Sequence, residues 1–182
     1  MFIVVSGKSG AGKTELVKEV CKQMNLKRAV TYTTRPKRDG EVDGVDYNFV
    51  TEDVFNSLSL VAKETIYTED KGVWRYGLDP RDIKEKDIAI LNPKGIFDLR
   101  NNNFITDNIY DIEIRVHDLI RLQRIEKRKD NQTEVEKTRR FIDDNNLFED
   151  YYPFVTSDNN RTFKEGLDML IYNINLIKFL CK

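Results

Sequence analysis

Apolar positions along the chain fall into short blocks that switch between two periods. Phe2-Ile3-Val4-Val5 is an unbroken β-rich run ending at Ser6-Gly7, which predicts a buried strand. From Gly12 onward Leu16, Val17, Val20 and Met24 recur at helical spacing with Glu and Lys between them, so a helix follows the glycine loop directly and continues to about Asn25. Residues 32 to 45 break both periods with Thr, Arg, Pro, Lys, Asp and Gly, after which Tyr47-Asn48-Phe49-Val50 reads as a strand. Thr51-Glu52-Asp53 opens a short helix with acidic residues in its first turn, and Leu60 to Tyr67 with Val73 to Tyr76 form a hairpin around Glu69-Asp70-Lys71-Gly72.

Farther along, Asp79-Pro80 is expected to cap a helix reaching about Glu85. Ile88 to Leu91 is a strand, and Pro93 starts a helix through Leu99. Ile112 to Val116 and Phe154 to Thr156 are further strands; Arg121 to Arg128, Thr133 to Phe148 and Phe163 to Ile177 are helical. Strands alternating with helices predict an α/β fold, a parallel β-sheet core flanked by helices on both faces, with residues 32–76 inserted as a small lobe. At 182 residues one domain is expected.

Composition narrows the partners. Thirty Lys and Arg against 31 Asp and Glu leave a net charge of −1, which gives no support for nucleic-acid or anionic-membrane binding, so any basic site is local. The amino terminus lacks the regions of a signal peptide and the apolar runs are short, so a soluble, cytoplasmic protein is expected. Cys21 and Cys181 lie at opposite ends, His117 is the only histidine, and no metal-ligand set is spaced along the chain.

The chemistry begins at Gly7-Lys8-Ser9-Gly10-Ala11-Gly12-Lys13-Thr14, which has the P-loop spacing of glycine, four residues, glycine, lysine and a hydroxyl residue, set between strand and helix. Glycines let backbone N–H groups converge on phosphate oxygens at a helix amino terminus, where unpaired donors and the helix dipole favour an anion. These eight residues are therefore expected to hold ATP, with Lys13 reaching the β- and γ-phosphates and the Thr14 hydroxyl binding Mg²⁺. That assigns a P-loop NTPase fold and a phosphotransferase, but leaves the acceptor open.

The acceptor is addressed by residues 31–50, where Arg35, Arg38 and Tyr47 stand in a turn-rich segment. Two guanidinium groups can grip a phosphate dianion and a phenol can add a hydrogen bond, which suits a monophosphate. Here the sequence resembles the guanylate kinase family. Thr33 to Val50 is similar to that family's GMP-binding signature, Tyr76-Gly77 to its second phosphate-binding tyrosine, and Arg124 to Arg128 with Thr133-Glu134 and Arg139 to its arginine-bearing lid. The resemblance implies an ATP-dependent nucleoside monophosphate kinase acting on GMP or dGMP, with a lobe at 32–76, a lid at about 119–148 and a core of 1–31, 77–118 and 149–182. It also implies that Arg35, Arg38, Tyr47 and Tyr76 hold the acceptor phosphate and that Lys13, Arg35, Arg128 and Arg139 surround the transferred group.

A guanine site needs donors for O6 and a carboxylate for the ring N–H groups. Thr31 is the candidate hydroxyl and Glu64 the candidate carboxylate, with Glu69 as the alternative. Two positions depart from the family: Leu78 replaces the serine expected after Tyr76-Gly77, and Asn92 stands where an aspartate is expected. Either the acceptor is another ribo- or deoxynucleoside monophosphate, or other groups compensate. A non-catalytic scaffold module of the same family is disfavoured by the intact P-loop and by the lack of attached partner-binding domains.

Overall fold

A computed structural model describes residues 1–68, 72–102, 108–127 and 133–181, leaving aside the side chains of Thr68, Glu136, Arg139 and Arg140. Its elements in chain order are β1 Phe2–Ser6, α1 Lys13–Met24, β2 Tyr32–Thr33, β3 Asn48–Phe49, α2 Glu52–Ser57, β4 Val61–Thr68, β5 Gly72–Leu78, α3 Asp82–Glu85, β6 Ile88–Ile90, α4 Pro93–Arg100, β7 Ile109–Arg115, α5 Asp118–Glu126, α6 Glu134–Phe148, β8 Val155–Asp158 and α7 Phe163–Leu180.

Four strands form an all-parallel sheet in the order β6-β1-β7-β8, with Val4 opposite Ala89 on one side and Asp111 on the other. The run Phe2 to Val5 carries no polar alternation because both faces of β1 are covered. Ile3 and Val5 pack with Leu16, Val20 and Ile174 of α1 and α7, while Phe2 and Val4 pack with Leu78, Ile96 and Leu99 on the opposite side. Glycine has no side chain to hold a turn open, and at Gly7 (φ +146°) and Gly10 (φ +81°) none would fit. A Cβ would lie 2.6 Å from the Ile114 carbonyl oxygen at the first and 2.8 Å from that of Arg121 at the second. The loop after β1 is thereby held against β7 and α5.

A second sheet, ordered β3-β2-β5-β4, occupies Tyr32 to Leu78 and is antiparallel except for the short β2–β3 pairing. The sequence gives no period over Tyr32-Thr33, so β2 was not expected; two residues are too few to show alternation, and the segment is a strand only through its partners Tyr76, Gly77, Asn48 and Phe49. In the β4–β5 hairpin the register shifts between Val61 and Glu64, and Ala62 adopts φ +51°, a bulge that re-aims Glu64. The other differences are at element ends. β7 starts at Ile109, α7 runs on to Leu180, and α3 begins only at Asp82, after a turn in which the Asp79 carboxylate accepts from the Arg81 N–H at 2.9 Å.

Helix starts follow their caps. The Thr51 hydroxyl accepts from the Val54 N–H, and Thr162 with Glu165 completes a reciprocal capping box at α7. Asn92 caps α4 with Pro93 in the first turn. Among the described residues no helix is long and apolar enough to cross a membrane.

Candidate active site

The glycine loop leaves the carboxyl end of β1, a central strand of the parallel sheet, where open α/β sheets place their ligands. Its carbonyl oxygens are taken up one by one. Lys13 Nζ donates to those of Gly7 (2.5 Å) and Lys8 (3.1 Å), Arg121 Nε to Ser9 (3.0 Å), Arg124 to Gly10 (3.4 Å) and Asn159 Nδ2 to Ala11 (2.8 Å). The loop's amides lie at a helix amino terminus, which favours an anion, and that of Ala11 is spent within the loop on the Lys8 carbonyl at 3.1 Å. A carboxylate already uses one of them: the Ser9 N–H donates to Asp144 of α6 at 2.6 Å. An anionic oxygen is thus at home on this loop.

A cavity of about 520 Å³ runs from the loop to the second sheet. It brings together Gly7, Lys13, Thr31, Arg38, Tyr47, Glu64 and Tyr76, residues separated by up to 69 positions in sequence, with Asn92 and Asp144 completing the wall. The Tyr47 and Tyr76 rings meet edge to face at 5.9 Å. A groove of about 610 Å³ on the second sheet and α2 shares Glu64, Thr65 and Tyr67 but no residue of the glycine loop.

Arg35 lies beside this cavity, not in its wall. It is 3% exposed, paired with Glu41 at 2.7 Å, and its guanidinium sits 5.3 Å from the Tyr47 ring centre. Glu41 also accepts from the Arg38 N–H at 2.8 Å, so one carboxylate fixes the turn that carries both arginines. Burial opposes the Glu41 charge, but the hydrogen bonds from Arg35 and Arg38 outweigh it and hold the carboxyl below its usual range. Glu64 goes the other way: burial pushes its carboxyl up, against a hydrogen bond from Asn92 and the charge of Lys94, while Asp144 adds to the rise.

Lys8 points to α6, where Nζ donates to Asn145 Oδ1 at 2.8 Å. Thr14 occupies the first turn of α1, half-buried. Leu78 is fully buried in the apolar cluster under α4 and presents nothing to the cavity. Arg128, Glu69 and the Arg139 side chain lie outside the described residues. Among the described residues no group of three His, Cys, Asp or Glu is placed to hold a metal ion.

A family model described as Guanylate kinase matches residues 1–170. The chain belongs to the guanylate kinase family. The guanylate kinase of Syntrophotalea carbinolica is 44% identical over 59 residues, covering 32% of this chain and 28% of that protein. The guanylate kinase of Schizosaccharomyces pombe is 37% identical over 99 residues, covering 53% and 48%. The chain therefore matches less than half the length of either relative. In fold, the crystal structure of guanylate kinase from Anaplasma phagocytophilum superposes with a TM-score of 0.67 over 97% of this chain and 85% of that one, at 18% identity.

Beyond the residues that the guanylate kinase signature singles out, the structure brings in Arg121, Asp144 and Asn159. Arg121 is fully buried, donates to Ser9 O, to Asp118 at 2.6 Å and to Asn145 at 3.2 Å, and its guanidinium lies 4.6 Å from the Phe141 ring centre. One signal for it exists in the sequence. Ile125 marks the inward face of α5, and Arg121, four residues earlier, shares that face. Asp144 and Asn159 carry no such mark, because each acts through a backbone atom of a loop more than 130 residues away.

Proposed function

We propose that this chain is a guanylate kinase that transfers the γ-phosphoryl group of MgATP to GMP or dGMP, giving ADP and the nucleoside diphosphate. One observation carries the proposal: a single cavity joins the glycine loop and Lys13 to Arg38, Tyr47, Tyr76, Thr31 and Glu64. Phosphate donor and monophosphate acceptor then meet within one enclosure, with the base end at Glu64. The names of the curated relatives favour the same acceptor.

The acceptor phosphate oxygen attacks the γ-phosphorus in line. It is already largely ionised near neutral pH, so the protein supplies positioning and charge neutralisation and no general base. Lys13 neutralises charge at the β- and γ-phosphates, while Arg38, Tyr47 and Tyr76 hold the acceptor, with Arg35 setting the Tyr47 ring. Mg²⁺ enters with ATP, for which the Thr14 hydroxyl at the start of α1 is a fitting single ligand. The division into core, acceptor lobe (32–76) and lid (about 119–148) belongs to this proposal, with Arg128 and Arg139 arriving on closure and water excluded. So does a cytoplasmic location.

A kinase for another nucleoside monophosphate is the second reading, favoured by the buried Leu78 and by Asn92. Replacing Lys13 with Ala tests the transfer step. By analogy with the loss of one electrostatic stabiliser, GMP-dependent ADP release is expected to fall by about 10²-fold or more. An unchanged turnover number removes Lys13 from the mechanism.

A further inference from the structure

Tyr47 is held in place from the core of the molecule, by two cations that stand outside the cavity wall. Arg28 lies where the chain has left α1, its backbone bridged to Ile88 of β6 and the neighbouring Ala29 N–H bonded to the Ile88 carbonyl at 2.8 Å. From this edge of the parallel sheet its guanidinium reaches into the acceptor segment. Nη1 donates to the Val45 carbonyl at 3.2 Å and Nη2 to that of Asp46 at 3.3 Å. Lys18, farther along the helix that Lys13 opens, pairs with the Asp46 carboxylate at 2.8 Å. The other Asp46 oxygen accepts the Val42 N–H at 2.9 Å, and the Asp46 N–H donates to the Val42 carbonyl at 2.9 Å, so the pinned residue also closes its own turn.

Tyr47 follows these two pinned residues directly. On its other side Asn48 is fixed as well, by its N–H to the Thr31 carbonyl at 2.9 Å and its side-chain amide to that of Val30 at 2.8 Å. The Tyr47 carbonyl itself accepts the Gly44 N–H at 2.9 Å. With the backbone fixed before and after it, the ring projects to where Arg35 and Tyr76 meet it.

We propose that Arg28 is a positioning residue for the acceptor phosphate: by clamping the Val45 and Asp46 carbonyls to the parallel sheet, with Lys18 as a second arm, it sets the place of the Tyr47 hydroxyl relative to the glycine loop. The assignment rests on the acceptor role given to Tyr47 above and deepens it. A guanidinium suits two successive carbonyls because its donors are held in one rigid fork, where an ammonium is a single point. Lys18 is the weaker arm, since its side chain is 38% exposed and water competes for the pair. The span from phosphate donor to acceptor is then fixed at both ends by the core: β6 lies beside β1, which leads into the glycine loop, and α1 starts from that loop.

Arg28→Met keeps much of the stem and removes the clamp. In protein carrying ¹³C at the tyrosine rings, without nucleotide, the Tyr47 NMR signal is assigned by its loss in Tyr47→Phe. It is expected to move in Arg28→Met, while the signal of Tyr172 on α7 stays in place. With saturating MgATP, kcat/KM for GMP is expected to fall about tenfold, with KM for ATP within about twofold of the wild type. Because Arg28 acts through Tyr47, adding Arg28→Met to Tyr47→Phe should lower kcat/KM by less than about a further twofold. An unmoved Tyr47 signal overturns the proposal whatever the acceptor, and so do losses that multiply in the double variant. Movement of the Tyr172 signal too, the mark of a general loosening, also overturns it. Should Arg28→Met fail to fold, Lys18→Met decides by the same readings, with a smaller shift of Tyr47 expected and no shift refuting the clamp. Wild-type failure to turn over GMP refutes the functional reading alone, since the ring signals are read without it.

Discussion

Arg121→Met removes the guanidinium while keeping most of the apolar stem, and so isolates the polar work of a fully buried cation. Its Nε holds the Ser9 carbonyl of the glycine loop at 3.0 Å, and Nη1 bridges Asp118 at 2.6 Å and Asn145 at 3.2 Å. Nη2 lies 3.5 Å from an Asp144 carboxylate oxygen. Asp118 is half exposed, so water replaces much of that pair and it is discounted. The bonds to Ser9 and Asn145 are charge-assisted and shielded, at about 1.5 kcal/mol each, giving about 3 kcal/mol. Breaking a fully buried pair reaches ~3–5 kcal/mol, and the solvated Asp118 places this site at the low end. For a chain of this size the melting temperature is then expected to fall by roughly 6–12 °C. Urea unfolding of both proteins measures it, with the midpoint shifted and the slope unchanged. ATP affinity should fall as well, since Ser9 loses the partner that fixes its peptide. A loss below about 1 kcal/mol, or a gain, would refute the view that Arg121 clamps the loop.

The Asp144 carboxylate occupies the Ser9 N–H, so an incoming phosphate must displace it. Asp144→Asn keeps the shape and removes the charge, and a fluorescent ADP analogue should bind roughly three- to tenfold tighter; weaker binding contradicts the competition. Glu41 is held below the usual carboxylate range, so the folded state binds fewer protons there than the unfolded one. Its contribution is complete above the ordinary glutamate value and is lost as pH falls through the lowered one. Urea midpoints should therefore drop less between pH 6 and pH 3.5 in Glu41→Gln than in the wild type; equal drops would remove Glu41 from the acid response.

The parts that local pattern determines were legible in the sequence. β1, the glycine loop and α1 form one continuous signal because burial on both faces, the glycine spacing and the 3.6-residue period all act within 24 residues. The hairpin and the helices opened by Thr51 and Pro93 were legible for the same reason, whereas Asp79-Pro80 makes a turn ahead of α3 and not its cap. β2 was not, since its two residues become a strand only through partners elsewhere in the chain. Thr31, Arg38, Tyr47, Glu64 and Tyr76 line one cavity. Arg35 lies beside that cavity, and its pairing with Glu41 is visible only in the packed structure. Asn92, which read as a missing charge, serves as the cap of α4, where its Oδ1 accepts the Gly95 N–H.

The central claim is that the cavity joins ATP to a guanine monophosphate. ADP release by the purified full chain, coupled to a spectrophotometric readout, measures kcat/KM against GMP, dGMP, AMP, CMP, UMP and dTMP under one set of conditions. A site built on the Glu64 carboxylate and the Thr31 hydroxyl predicts GMP and dGMP preferred over every other acceptor by at least about 10²-fold. Equal rates across the panel, preference for another base, or no acceptor-dependent release would contradict it.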